Sequence, residues 1–355
     1  MRKIYSDVVQ FRGSHYDFGF CQGELLKDSF TLKNRQQQWK VRKPRFHTPL
    51  EDAKGVFTRF APKIWEEFLG LQDALKWPME RVLLEFGGYR VNIPLFGCSI
   101  VTGEDYLIRN YDYHPKTYDG RFILFQPTDG GFATIGPSQK ITGRMDGMNE
   151  KGLVMGYNFT NRKRPGDGFV CNMIGRILLE TCQSVEDAIE LLKEIPHRGS
   201  FSYIVLDQKG KTFIIETSPR KVIVREGNAC TNHFEEMVEE NRHYLVDSQR
   251  RLDILERKRE KGSLDGREAF RLLNGVDQGV FSKLYKDWAG TIHTSGYFPK
   301  ELKVWFALGG DQEPVTVDFS RWLHGEGIDI ERIWGEVDTD IPFVHMEDKV
   351  DWYTH

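Results

Sequence analysis

Gly97-Cys98-Ser99-Ile100-Val101, followed past Gly103-Glu104-Asp105 by Arg109-Asn110-Tyr111-Asp112, is the stretch on which the reading of this chain turns. Two β-rich runs, Cys98 to Gly103 and Tyr106 to Asp112, flank a segment of turn composition, so a hairpin is expected to return Arg109 and Asp112 toward Cys98. A glycine ahead of the thiol leaves little cover over the preceding carbonyl. The sulfur can then attack its own peptide bond and release Cys98 as a new N-terminus. A free thiol titrates near about 8.5 and an α-amine near about 8, so one residue would carry both nucleophile and base. A lone Gly-Cys is ordinarily core filler, because cysteine packs as a small hydrophobe. The neighbouring segments single this one out.

A guanidinium beside a thiol favours the thiolate, and a carboxylate can orient either the amine or the arginine. Arg109 and Asp112 are therefore candidate organisers of Cys98. Their spacing places them on opposite faces of a regular strand, so Asp112 is expected past the strand end. A second segment, Gly147-Met148-Asn149-Glu150-Lys151-Gly152-Leu153-Val154-Met155-Gly156-Tyr157-Asn158-Phe159, reads as a turn and then a strand closed by Asn158. Its side-chain amide can donate to a developing oxyanion. A third, Ala229-Cys230-Thr231-Asn232-His233-Phe234, offers Asn232 as a second amide. Taken singly, an Arg-Asp pair reads as a structural ion pair and a strand-end asparagine as a turn residue.

In this order the segments resemble the cysteine N-terminal-nucleophile hydrolases of the choloylglycine hydrolase and penicillin acyltransferase group. They are closer to the acyl-coenzyme A:6-aminopenicillanic acid acyltransferase branch, because Phe11 to Leu26 is similar to the helix opening of that branch's long propeptide. The resemblance spans about Gly13 to Phe319. It implies Cys98 as nucleophile, Arg109 and Asp112 as its organisers, and Asn158 and Asn232 as transition-state donors. It implies a four-layer αββα fold, an N-terminal segment 1–97 and a catalytic part 98–355, with a small-molecule amide or acyl donor as substrate and acyl transfer as a variant of the hydrolysis. Residues 1–97 are expected to stay attached as a helical subunit, because their amphipathic faces need burial against the catalytic part. The bile-salt branch also carries a late arginine in its site. No counterpart stands near Thr291 to Phe298, where His293 occurs instead.

Composition agrees with an enzyme of this kind and excludes several other classes. The chain has 355 residues, 49 basic against 52 acidic, with 28% charged and 39% hydrophobic content. No electrostatic footprint for nucleic acid or anionic membrane follows from that balance. Five cysteines, at 21, 98, 171, 182 and 230, show no Cys-x-x-Cys spacing, so neither a disulfide framework nor a zinc site is expected. No phosphate-loop glycine pattern occurs, and no cofactor is expected. The opening residues do not read as a signal peptide and no run is long and apolar enough for a transmembrane helix, so a cytoplasmic location is expected. A homo-oligomer is compatible with all of this.

The fold class expected from pattern alone is α+β. Before Cys98 the sequence reads as mainly helical, with Ser14 and Asp17 as a helix-capping pair, and Ala53 to Leu71 and Met79 to Val91 as further helices. After Cys98, strands are expected at about 98–112, 122–128, 132–136 and 153–159, then helices at 169–182 and 185–194. Strands at 201–207, 212–218 and 221–225 precede helices at 244–260 and 266–274. Thr291 to Tyr297 and Leu302 to Leu308 are expected to close the run. Arg250 to Lys261, rich in both charges, reads as an exposed helix face, and His114 as an exposed loop residue. Two further readings stand beside this one: an unprocessed thiol paired with His233 or His293, and a binding protein that keeps the fold without catalysis.

Overall fold

The computed structural model describes residues 1–41, 49–90, 97–160, 164–241, 244–262 and 264–350. Along the chain, β1 (Arg2–Gly13) leads into helices α1 (His15–Leu26), α2 (Phe30–Val41), α3 (Leu50–Phe60), α4 (Pro62–Leu75) and α5 (Met79–Phe86). The hairpin β2 (Gly97–Thr102) and β3 (Leu107–Tyr113) follows, then β4 (Arg121–Pro127), β5 (Thr134–Gln139), β6 (Gly143–Arg144), β7 (Asp146–Asn149) and β8 (Val154–Phe159). Helices α6 (Cys171–Thr181) and α7 (Val185–Glu194) precede β9 (Phe201–Leu206), β10 (Thr212–Thr217), β11 (Val222–Arg225) and β12 (Ala229–Cys230). Helices α8 (Val246–Glu260) and α9 (Gly266–Asn274) lead to β13 (Lys283–Leu284), β14 (Ala289–Phe298), β15 (Lys303–Leu308), β16 (Val315–Asp318), α10 (Phe319–Leu323) and β17 (Arg332–Val337).

Two sheets carry the site. The larger runs β11-β10-β9-β8-β7-β5-β4-β1-β17 with β6 on β5, and the smaller runs β12-β2-β3-β14-β15-β16 with β13 on β14. Helices α6 and α7 pack on the larger sheet, α8 and α9 on the smaller, and the sheets meet through β2 against β8 and β15 against β17. This is the αββα layering expected. Strands of both sheets are apolar on the two faces they bury, as in β2 and β8, where every residue is buried.

The N-terminal segment departs from expectation. Its first element is a strand, not a helix: β1 pairs antiparallel with β17 from Arg2 to Asp7 and parallel with β4 from Asp7 to Gly13. The run Ile4-Tyr5-Ser6-Asp7-Val8-Val9-Gln10-Phe11 is rich in β-branched and aromatic residues, which is the local reason for it. Residues before Cys98 thus supply an inner strand to a sheet otherwise built after it. Ser14 caps α1 as anticipated, its oxygen accepting the Asp17 N–H. Helices α1 and α4 then pack backbone to backbone. A Cβ on Gly19 would stand 2.0 Å from the Glu67 carbonyl oxygen, and one on Gly70 would stand 2.0 Å from that of Tyr16.

Other boundaries moved for identifiable reasons. The expected helix Ala53 to Leu71 is two helices, because Pro62 starts a new one after Ala61. The end of the expected helix Met79 to Val91 lies outside the described residues; α5 itself closes at Phe86. Helix α2 and the elements after Leu308 were not anticipated. His114 is 1% exposed, buried beneath the ring of Trp288. No helix among the described residues is long and apolar enough to cross a membrane.

Buried charge joins the N-terminal helices to α6. Arg176 donates to Glu67 of α4 at 2.7 Å and to Glu180 one turn on, and Glu67 also receives Gln22 of α1 at 2.7 Å. His15 of α1 lies between Asp129, at 2.7 Å, and Glu180, at 3.3 Å. Burial opposes a charge on His15, but the two carboxylates outweigh it and raise its pKa.

Candidate active site

The hairpin expected around Gly103 forms, and it sets the site. Cys98 pairs with Tyr111, and Ile100 with Arg109, so these four side chains share the face that looks toward the larger sheet. Arg109 Nη2 donates to Cys98 Sγ at 3.3 Å and to the Tyr157 carbonyl at 2.8 Å. Room for the guanidinium comes from Gly156 opposite, where a Cβ would stand 3.1 Å from Arg109 Cδ.

Asp112 is not past the strand end. It lies within β3 opposite Gly97, on the face away from the sulfur. A bulge in β14 between Thr291 and His293 lets the strand continue there, and Thr291 Oγ1 donates to Asp112 Oδ1 at 2.6 Å. The ion-pair partner of Arg109 is Asp146 on β7, at 2.5 Å, a residue the sequence reading did not single out. Asp146 also accepts from Ser295 at 2.9 Å and from Tyr297. Both members of the Arg109–Asp146 pair are fully buried, and the pair ties one sheet to the other.

Asn232 bridges the sheets at the end of β2. Its Oδ1 accepts the backbone N–H of Cys98 at 2.8 Å, and its Nδ2 donates to the Phe159 carbonyl at 2.9 Å. The same Oδ1 accepts Arg251 Nη2 at 2.9 Å, while Arg251 Nη1 reaches the Cys98 carbonyl and Ser99 Oγ, each at 2.7 Å. Arg251 belongs to α8, within the segment read as an exposed face, and is 4% exposed. A late arginine is therefore present, supplied by a helix and not by β14. Its signal was helical spacing: Ser248, Arg251, Leu252 and Leu255 recur as one stripe and all four are buried.

Asn158 sits at the end of β8, fully buried. Its Nδ2 donates to the Cys230 carbonyl at 2.8 Å and contacts Cys230 Sγ at 3.2 Å, while its Oδ1 has no partner. His293 continues the Cys98–Tyr111 row onto β14, its ring stacked on Tyr111 at 5.0 Å and its Nε2 3.9 Å from Asp146 Oδ2. His233 turns to Ser248 Oγ at 2.8 Å. Among the described residues no group of three or more His, Cys, Asp or Glu is arranged to hold a metal ion.

Electrostatics follow from this burial. Desolvation pushes the Cys98 thiol up to about 11; Arg109, a hydrogen bond from the Asp112 backbone and Arg251 pull the other way, and the Asp112 carboxylate adds to the rise. Burial also raises Asp112 to about 7, against Arg251 and the Thr291 hydroxyl. Asp146 falls to about 2, because Arg109 and hydrogen bonds from its neighbours outweigh its own desolvation.

A hairpin that carries a buried thiol, a buried arginine on its sulfur and an amide on its backbone nitrogen invite comparison with known proteins. The model of the acyl-coenzyme A:6-aminopenicillanic acid acyl-transferase family matches residues 101–313, more than half of the chain. The chain belongs to that family. The matched span of this acyl-transferase family member contains Arg109, Asp112, Asp146, Asn158, Asn232 and Arg251, and begins just after Cys98. Among solved structures it is similar to penicillin V acylase from Agrobacterium tumefaciens, at 13% identity over 63% of this chain and 86% of that one, with a TM-score of 0.42. It is similar to a substituted conjugated bile acid hydrolase from Clostridium perfringens, at 16% identity over 68% and 97%, with a TM-score of 0.45. The N-acylethanolamine-hydrolyzing acid amidase ortholog of Caenorhabditis elegans gives 13% identity over 57% and 93%, with a TM-score of 0.39. No curated protein sequence matches the chain.

Proposed function

We propose that this family member is a self-processing cysteine amidohydrolase that cleaves a linear, non-peptide amide through an acyl-Cys98 intermediate, with transfer of the acyl group to an acceptor as a variant. One observation carries the reading. The backbone nitrogen of Cys98, an internal residue, is given its own buried side-chain acceptor, Asn232 Oδ1, at 2.8 Å. A peptide N–H on a strand normally finds its partner in the ladder. Here the acceptor is held by Arg251 and by the Phe159 carbonyl, an arrangement suited to orienting an amine once the Gly97–Cys98 bond is cut.

In the first reaction Cys98 Sγ attacks the Gly97 carbonyl, the peptide nitrogen departs as the α-amine with the thiol proton, and water hydrolyses the resulting Gly97 thioester to free the Cys98 thiol and the Gly97 carboxylate. A Cβ on Gly97 would stand 3.6 Å from Asp112 Oδ2, so that carboxyl lies beside Gly97 on the face opposite the sulfur, where its ionised form can take a proton from the water that hydrolyses the thioester. In turnover the Cys98 thiolate, favoured by Arg109, attacks the substrate carbonyl, and the Cys98 amine protonates the leaving nitrogen. Asn158 serves the oxyanion with the hydrogen now turned to Cys230 Sγ. Sulfur is a weak acceptor, so that contact is given up at little cost, while the bond to the Cys230 carbonyl keeps the amide in place. Water, an amine or a thiol then takes the acyl group.

Denaturing intact mass of the purified protein is the test. Masses for residues 1–97 and 98–355 support the reading; a single full-length mass after prolonged incubation removes the amine-as-base mechanism. Loss of amide turnover in Cys98→Ala is the companion result.

A further inference from the structure

We propose that Thr160, Ser200 and Ser202 form a polar subsite beside Cys98 that receives a polyhydroxylated amine as the leaving group of the substrate amide. The inference rests on the amidohydrolase reading and deepens it. Its basis is a concentration of unpaired polar atoms. Asn158 Oδ1, Thr160 Oγ1, Ser200 Oγ and Ser202 Oγ are all buried and none has a hydrogen-bond partner. Native interiors satisfy nearly every such group, so several together on one patch of sheet call for an explanation.

The four lie together on β8 and β9 and the residues that adjoin them. Asn158 pairs directly with Ser202, and the Thr160 N–H donates to the Ser200 carbonyl at 3.0 Å, so the pairing continues one pleat further. They share the face of Gly156, where a Cβ would stand 2.9 Å from Ile100 Cδ1 of β2. That face looks onto the strand bearing Cys98. Two residues along a strand cover about 6.6 Å and one strand across about 4.8 Å, so the patch matches several hydroxyls on neighbouring carbons better than a single one.

Its side of the site is the leaving-group side. Asn232 holds the Cys98 nitrogen and is itself anchored on the Phe159 carbonyl, the residue before Thr160. The amine that takes its proton from the Cys98 nitrogen therefore departs toward Thr160, and its N–H meets the free acceptor, Asn158 Oδ1. Among the described residues the patch bears no free charge. Glu216, which pairs with Ser202 from β10, is engaged by Arg225 at 3.0 Å and by the backbone N–H groups of Glu235 and Met237 at 2.8 Å. Hydroxyls, which donate and accept, fit it; a carboxylate or phosphate would find no free cation there among the described residues.

The test uses N-hexanoyl glucamine and N-hexanoyl hexylamine with the wild-type protein, Ser200→Ala/Ser202→Ala and Thr160→Val. The wild type is expected to favour the glucamide by at least about tenfold in kcat/KM, and each variant to reduce that ratio about tenfold, the worth of one or two hydrogen bonds. Because the hydroxyls have no protein partner, Tm should not fall in the variants; a fall of several degrees would mark them as structural and overturn the proposal. Equal kcat/KM for the two amides overturns the subsite and leaves the amidohydrolase standing. Should neither amide turn over, calorimetric binding to the wild type decides. A glucamide preference without turnover upholds the subsite and removes the amidohydrolase reading, and no preference overturns the subsite.

Discussion

Asn232 Oδ1 lies 2.8 Å from the backbone nitrogen of Cys98, which makes a side chain from β12's far end the partner of the atom that self-cleavage would turn into an amine. Asn232→Leu keeps the volume and removes the acceptor. The rate at which the 98–355 fragment appears in intact-mass time courses should fall by about 100-fold, the usual cost of misplacing a reacting group by about an ångström. Asn232→Asp, which keeps the acceptor, should retain much more of it.

The Arg109–Asp146 pair is closed off from solvent on both sides. Replacing Asp146 with alanine leaves a buried guanidinium without its counter-charge, and breaking such a pair costs about 3–5 kcal/mol. Urea unfolding of Asp146→Ala should show that loss as a lowered midpoint. A double variant, Arg109→Met/Asp146→Leu, should recover much of the stability and little of the activity, since the guanidinium that donates to the Cys98 sulfur is gone.

Self-cleavage should depend on pH through Asp112. Its carboxyl is raised to about 7, and the ionised form is the one that accepts a proton, so the rate should climb as pH rises through that value. Stability runs the opposite way. A carboxyl raised on folding stabilises most below its unfolded pKa of about 3.9, and that contribution is lost as pH rises through about 7. Stopped time courses from pH 5 to 9 should show the limb near 7 in the wild type and a flat, slow rate in Asp112→Asn.

Cleavage should not release residues 1–97. Their first strand lies between β4 and β17, and α1 and α4 are joined to α6 by the buried Arg176, Glu67 and His15 contacts. Removing β1 would expose two strand edges at once. Cleaved protein should therefore elute in native size exclusion as one species of full mass and separate only in denaturant, while a chain lacking residues 2–13 should be insoluble.

Local signals account for much of what was legible. Alternation and turn composition placed the hairpin at Gly103, the helices α7 and α9, and the strands β9 to β11 close to where they lie, because those segments carry their period within themselves. The strand β1 is equally legible in the β-branched and aromatic run Ile4 to Phe11, although the part before Cys98 as a whole reads as mainly helical. Arg251 was hidden for another reason. In Arg250-Arg251-Leu252 two identical neighbours point to different sides of a helix, and the charge of the segment masks the stripe that buries one of them.

By itself the sequence determined that Cys98 follows a glycine on a hairpin with Arg109 returning toward it, that Asn158 ends a strand, and that the chain is α+β, since each of these rests on residues near one another in the chain. Only the tertiary structure decided which groups meet. Asp146 and not Asp112 takes the charge of Arg109, Asn232 reaches the nitrogen of Cys98, and the hydroxyls of Ser200 and Ser202 are stranded opposite β2. Those are contacts between segments far apart in the chain, and they depend on which strands neighbour one another, on how the two twisted sheets stack, and on a glycine at 156 that lets Arg109 through.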